Sequence, residues 1–144
     1  MKEQRLGKQF IDSPPARMEK DQMAKTILLV DDSSTSRMNS RMLFGNDRDY
    51  EFFSACDGKE GVEMALERKP DLILMDVEMP RMSGIEACRA LRSNAATREI
   101  PIILLTMRGE ESMVKLGLAS GCTEYMLKPV NEEKLAAAVK KYLG

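Results

Sequence analysis

Four short apolar runs in this sequence lead directly into residues that can do chemistry. Ile27-Leu28-Leu29-Val30 leads into Asp31-Asp32, Leu72-Ile73-Leu74-Met75 into Asp76, the run 100–105 into Thr106, and the stretch 124–127 into Lys128. Singly, each has an ordinary structural explanation: Asp caps helices, Thr ends strands, and Lys near a turn is usually solvated. Jointly they read differently. If the runs are parallel strands, their carboxyl ends share one edge of a sheet, where ligands bind in open α/β folds. Three carboxylates, one hydroxyl and one ammonium then meet on one rim. Two carboxylates ~5 Å apart repel by roughly 3 kcal/mol at an effective dielectric of about 20, so three together call for a cation. Oxygen ligands without His or Cys select a hard ion such as Mg2+. The chain has no histidine, which excludes Ser-His-Asp and Cys-His catalysis and His-ligated metals. The available nucleophile is a carboxylate. Mg2+, a lysine and a hydroxyl beside it form a set suited to handling a phosphoryl group.

The elements that must position these residues are legible in the pattern. The 144 residues fit one domain, and 43% hydrophobic residues suffice for a core. Continuous apolar runs at 27–30, 72–75 and 100–105 are those of strands buried on both faces, with weaker strands at 50–55 and 124–127. Helix-like stretches lie between them at 34–44, 58–68, 85–92, 110–119 and 131–143, the last with Asn131 as N-cap. Five strands alternating with five helices imply an α/β doubly wound parallel sheet with helices on both faces. Lys plus Arg numbers 22 and Asp plus Glu 23, a net charge of -1, which argues against a nucleic-acid footprint. No apolar run reaches the ~20 residues of a membrane span. Cys56, Cys88 and Cys122 form no metal or redox motif and read as reduced, buried thiols, so a cytoplasmic location is expected. Residues 1–25 stand apart as a flexible or docking leader, with six basic and four acidic residues and Ser13-Pro14-Pro15.

The motifs Ile27-Leu28-Leu29-Val30-Asp31-Asp32-Ser33, Leu74-Met75-Asp76-Val77-Glu78-Met79-Pro80, Ser83-Gly84, Leu105-Thr106 and Tyr125-Met126-Leu127-Lys128-Pro129 carry a family resemblance. Residues 26–144 resemble the receiver domain of two-component response regulators, particularly stand-alone chemotaxis-type receivers. The resemblance implies a flavodoxin-like sheet of order 2-1-3-4-5 and a phosphorylation-controlled switch with no output domain in this chain. It implies that Asp76 is the phosphoacceptor, that Asp31, Asp32, Asp76 and the backbone carbonyl of Glu78 hold Mg2+, and that Lys128 and Thr106 engage the phosphoryl group. Thr106 and Tyr125 resemble the switch pair, and a cis Lys128–Pro129 bond is implied as well. Such a chain is a signalling phosphoacceptor rather than an enzyme on other substrates, beyond its own phosphorylation and slow autodephosphorylation. Its expected partners are a sensor histidine kinase or phosphotransfer protein, and a downstream protein that reads residues 107–119, 124–127 and 131–143. No nucleic acid or membrane insertion is expected.

This sequence departs from the family where a usually small residue is Met107, next to Arg108. A Glu78–Arg108 pair with the bulk of Met107 is expected to modulate access of water to the site. Met38, Met64, Met75 and Met126 read as core filler, and Lys134, Lys140 and Lys141 as a solvated face. The rival reading is a phosphohydrolase of the haloacid-dehalogenase type, which also orders Asp, Thr and Lys. It would want Asp where Glu78 stands and an acidic pair after Lys128, not at Asp31-Asp32. A receiver that has lost phosphorylation and only binds proteins is disfavoured because every expected site residue is present.

Overall fold

The computed structural model describes residues 24–44 and 49–144. Residues 1–23, which make up most of the expected leader, lie outside the described residues. The elements follow in strict alternation: β1 (Lys25–Val30), α1 (Ser34–Met42), β2 (Tyr50–Ala55), α2 (Gly58–Arg68), β3 (Leu72–Asp76), α3 (Gly84–Arg92), β4 (Ile102–Thr106), α4 (Glu111–Ala119), β5 (Glu124–Leu127) and α5 (Glu132–Leu143). The strands form one parallel sheet of order β2-β1-β3-β4-β5. Order and class agree with the expected flavodoxin-like arrangement. Among the described residues no helix is long and apolar enough to cross a membrane.

The central strands are buried on both faces because their runs 27–30, 72–75 and 102–105 are apolar at every position. Alternate side chains point to opposite faces, and the core divides accordingly. Leu28, Val30, Ile73, Met75, Ile102 and Leu104 pack under α2 and α3, with Ala65, Ala87, Cys88 and Leu91 opposing them. Ile27, Leu29, Leu72, Leu74, Ile103 and Leu105 pack under α5, against Leu135, Ala138 and Val139. Phe44, just past α1, closes that side with edge-on contacts to Tyr50 and Phe52, ring centroids 5.3 and 5.2 Å apart. Strand β4 begins at Ile102, two residues later than the apolar run, since Pro101 has no N–H to give to a ladder.

Helix starts are set by side chains that accept from otherwise unpaired amides. Ser33, Asp57 and Asn131 cap α1, α2 and α5, and Ser83 with Glu86 forms a capping box on α3. Helix α4 differs: Glu110 makes no side-chain cap, and Gly117 is its only buried residue. Two expectations fail on burial. Met38 is 62% exposed, because α1 is apolar only at Met38 and Met42, and this i, i+4 stripe faces solvent while Leu43 and Phe44 make the core contact. Cys56 is exposed at the end of β2, where its Sγ donates to Glu60 Oε1 at 3.0 Å; all three cysteines are free.

Asp57 does more than cap. Arg81, in the loop before α3, gives Nε to Asp57 Oδ2 at 2.9 Å and pairs with it through Nη2 as well, pinning that loop to the start of α2. The Glu60 amide first, and then the Arg81 guanidinium, hold the Asp57 carboxyl below its usual 3.8. Its contribution to stability is therefore complete above 3.8 and fades as the pH falls through its own lower value. Asn caps as well as Asp, so Asp57→Asn removes the charge alone. Its urea midpoint should trail wild type at neutral pH, and the gap should close on acidification; a gap indifferent to pH would refute the pairing. Leu104 is fully buried in mid-sheet, and Leu104→Ala should destabilise by about 3 kcal/mol in urea unfolding.

Candidate functional site

Each strand-end residue reaches the rim by a local cause. Asp31 follows β1 and is 6% exposed, with its amide bonded to Ala55 O at 3.1 Å, which continues the β1–β2 ladder by one residue. Asp32, one residue on, is exposed. Asp76 is the last residue of β3 and is 5% exposed. Carboxylate oxygens of Asp31, Asp32 and Asp76 all lie within 4.8 Å of one another. Lys128, just past β5, is anchored by its amide to Thr106 O at 2.7 Å, and the Lys128–Pro129 bond is cis. Its Nζ lies 3.1 Å from Asp31 Oδ2 and 3.2 Å from Asp76 Oδ1.

Burial, partly offset by Lys128 and reinforced by the charge of Asp31, pushes the Asp76 carboxyl up to about 6. Burial opposes the Lys128 charge too, but its bond to Asp31 and the attraction of Asp76 leave its pKa above the usual lysine value. Among the described residues the Lys128 ammonium pairs with two of the three carboxylates, Asp31 and Asp76. Asp76 Oδ1 is buried without a hydrogen bond among the described residues, and its contact with Lys128 is an ion pair. An all-oxygen donor set of three carboxylates within 4.8 Å of one another, with negative charge in surplus over the Lys128 ammonium, fits a hard divalent cation.

The other side of the rim is built by β4 and β5. Thr106 ends β4 fully buried, and its hydroxyl donates to Glu78 Oε2 at 2.6 Å. The Met107 amide donates to Glu78 Oε1 at 3.3 Å. Tyr125 Oη donates to the Arg108 carbonyl at 3.0 Å, and its ring lies over Gly117, where a Cβ would fall 2.5 Å from the ring. The expected Glu78–Arg108 pair is not made: Arg108 Nε turns to Glu110 Oε1 at 3.2 Å, and Glu78 turns inward to Thr106. Arg108 is served by the carboxylate two residues along its own loop, while the Thr106 hydroxyl and Met107 amide offer Glu78 two donors together. Met107 is 74% exposed.

Sequence reasoning passed over two neighbours of the site. Arg37 on α1 donates Nη1 to the Asp31 carbonyl, a contact that nothing in the spacing announces. Gly84 starts α3 with its amide on Val77 O at 2.9 Å, and a Cβ there would overlap the Asp76 carbonyl oxygen. The Ser83-Gly84 motif was visible, though not this reason for it.

The family model for the response regulator receiver domain matches residues 27–140. The chain belongs to that family. It is 34% identical over 125 residues to the polar-differentiation response regulator DivK of Brucella anthropi, covering 85% of this chain and 98% of that protein. The chemotaxis protein CheY4 of Vibrio cholerae has a structure similar to this receiver, with 31% identity and a TM-score of 0.74 over 83% of this chain and 98% of that one. The receiver domain of the Pseudomonas aeruginosa sensor histidine kinase PA1611, with a magnesium ion coordinated in its active-site cleft, is also similar: 27% identity, TM-score 0.76, and coverage of 84% and 98%. This receiver is thus a module of two-component signalling, a system in which receivers work with histidine kinases or phosphotransfer proteins.

Because Gly84 lies against the backbone of the residue at the centre of the rim, Gly84→Ala should cost about 1–3 kcal/mol in urea unfolding. It should also shift the amide resonances of Asp76 and Val77. An Ala variant as stable as wild type would mean that the loop before α3 yields freely.

Proposed function

We propose that residues 26–144 form a phosphorylation-controlled switch in which Asp76 is the phosphoacceptor. One observation supports this above the rest: the buried Asp76 carboxylate, paired with Lys128 at 3.2 Å and set beside two further carboxylates. A carboxylate oxygen of Asp76 attacks phosphorus on the phosphohistidine of a kinase or phosphotransfer protein. The P–N bond breaks, and its electron pair returns to the imidazole. Lys128, already 3.2 Å from Asp76, neutralises charge gained by the phosphoryl oxygens. Asp31 holds Lys128 in place at 3.1 Å. Asp31, Asp32, Asp76 and the Glu78 backbone carbonyl would hold Mg2+, which when bound would supply further charge neutralisation at the transferring oxygens.

Phosphorylation gives Asp76 an acyl phosphate with added charge and three acceptor oxygens. Thr106 is the hydroxyl that turns to meet it, and the loop to Arg108 carries that movement on to Tyr125 through the Tyr125 Oη–Arg108 carbonyl bond. Inverting a 1:99 population takes roughly 5.5 kcal/mol of differential stabilisation, within reach of a few charge-assisted bonds. The face that changes is residues 107–119, 124–127 and 131–143. Between its elements lies a groove of about 610 Å3, lined by Gly109, Val114, Tyr125, Leu127, Lys134 and Lys141 among others. A downstream protein reads that groove, in the cytoplasm. Met107 flanks the acyl phosphate and limits attack by water, so slow autodephosphorylation follows.

A radiolabelled phosphohistidine donor with Mg2+ should transfer label to wild type, lose that transfer with chelator, and fail on Asp76→Asn. Mg2+ alone should raise the melting temperature of wild type by mass action, but not that of Asp32→Asn. Label on any other residue, or transfer unaffected by chelator, would count against the reading.

A further inference from the structure

The mechanism above uses the backbone of Glu78 and leaves its side chain without a task. Yet that carboxylate occupies the two donors on the far wall of the site, the Thr106 hydroxyl at 2.6 Å and the Met107 amide at 3.3 Å. A hydroxyl has one proton to donate, so while Glu78 holds it an incoming phosphoryl oxygen does not. The same contact orders the loop: Thr106 Oγ1 accepts the Arg108 amide at 3.0 Å, and the Arg108 carbonyl accepts Tyr125 Oη at 3.0 Å. Glu78 is exposed, so it can swing away without unpacking any core. Nor does Arg108 hold it, since that guanidinium is engaged by Glu110.

We propose that Glu78 is a tethered competitor of the phosphoryl group, holding Thr106 and Met107 in the unphosphorylated protein and surrendering both to the acyl phosphate. This rests on Asp76 being the phosphoacceptor. Two properties follow. The loop 106–108 is already drawn toward the site before phosphorylation, and the site receives a phosphoryl group less readily than it would with Glu78 absent. Glu78 is thus a positioning residue for the loop and sets the threshold of the switch.

The test uses the full chain with Mg2+ and beryllofluoride, a mimic of the acyl phosphate. Amide hydrogen exchange at Met107 is read by NMR, alongside the half-saturating beryllofluoride concentration. In Glu78→Ala without ligand, Met107 should exchange about tenfold faster or more, the scale of one charge-assisted contact. Beryllofluoride should bind that variant more tightly by a similar factor and bring both proteins to equal protection. Glu78→Asp decides between tethering and mere charge: it keeps the charge but is one methylene too short to reach both donors. Tethering requires it to behave like Glu78→Ala. Wild-type exchange and affinity in Glu78→Asp, or unchanged Met107 exchange in Glu78→Ala, would overturn the proposal. If beryllofluoride binds wild type and Asp76→Asn alike, the phosphoacceptor reading itself fails and takes this inference with it. Binding that needs Asp76 but ignores Glu78 sinks this inference alone.

Discussion

The structure depends on a concentration of like charge that it can hold only because of what lies beneath. Asp31 and Asp76 are buried and share the Lys128 ammonium, and Asp32 stands beside them. In water such a cluster would disperse. Here β1 and β3 run side by side in register, Val30 against Met75, so the carboxylates that follow emerge as neighbours. The apolar ladders of Leu28, Ile73 and Leu104 on one face and Leu29, Leu74 and Ile103 on the other fasten that register. Shifting any one strand by a residue would turn its core positions to the wrong face. Hydrophobic burial thus enforces an electrostatic arrangement that is unfavourable in itself, and the imbalance makes the rim receptive to cations.

That division of labour explains what was legible beforehand. Asp31, Asp32, Asp76, Thr106 and Lys128 could be found because each sits where an apolar run stops, and the run itself declares the strand. Parallel topology does the rest, bringing ends far apart in sequence to one edge. Where hydrophobicity does not dictate position, reading failed. Glu78 is an exposed residue two positions beyond β3, and its choice of Thr106 over Arg108 depends on which donors happen to cluster. Arg81 and Asp57 are 24 residues apart, with Arg81 at a φ of 67°, a backbone setting that no periodicity encodes. Met38 looked like core because its type is apolar, but one Met per turn on a polar helix does not make a buried stripe. The Tyr125 contact with Gly117 was likewise unreadable, for it needs the placement of α4 over β5.

The Asp57–Arg81 pair and the poorly anchored α4 give the molecule an uneven mechanical character. On one flank the loop before α3 is fastened to α2, and α3 starts from a reciprocal cap with five buried residues beneath it. On the other, α4 has no side-chain cap, and it meets the core through half-buried Met113 and through Gly117 under an aromatic ring. A tug on the centre of the rim therefore meets a stiff wall to one side and a compliant one to the other. Displacement flows toward the slack, and the direction of the response is written into the anchorage before any partner arrives.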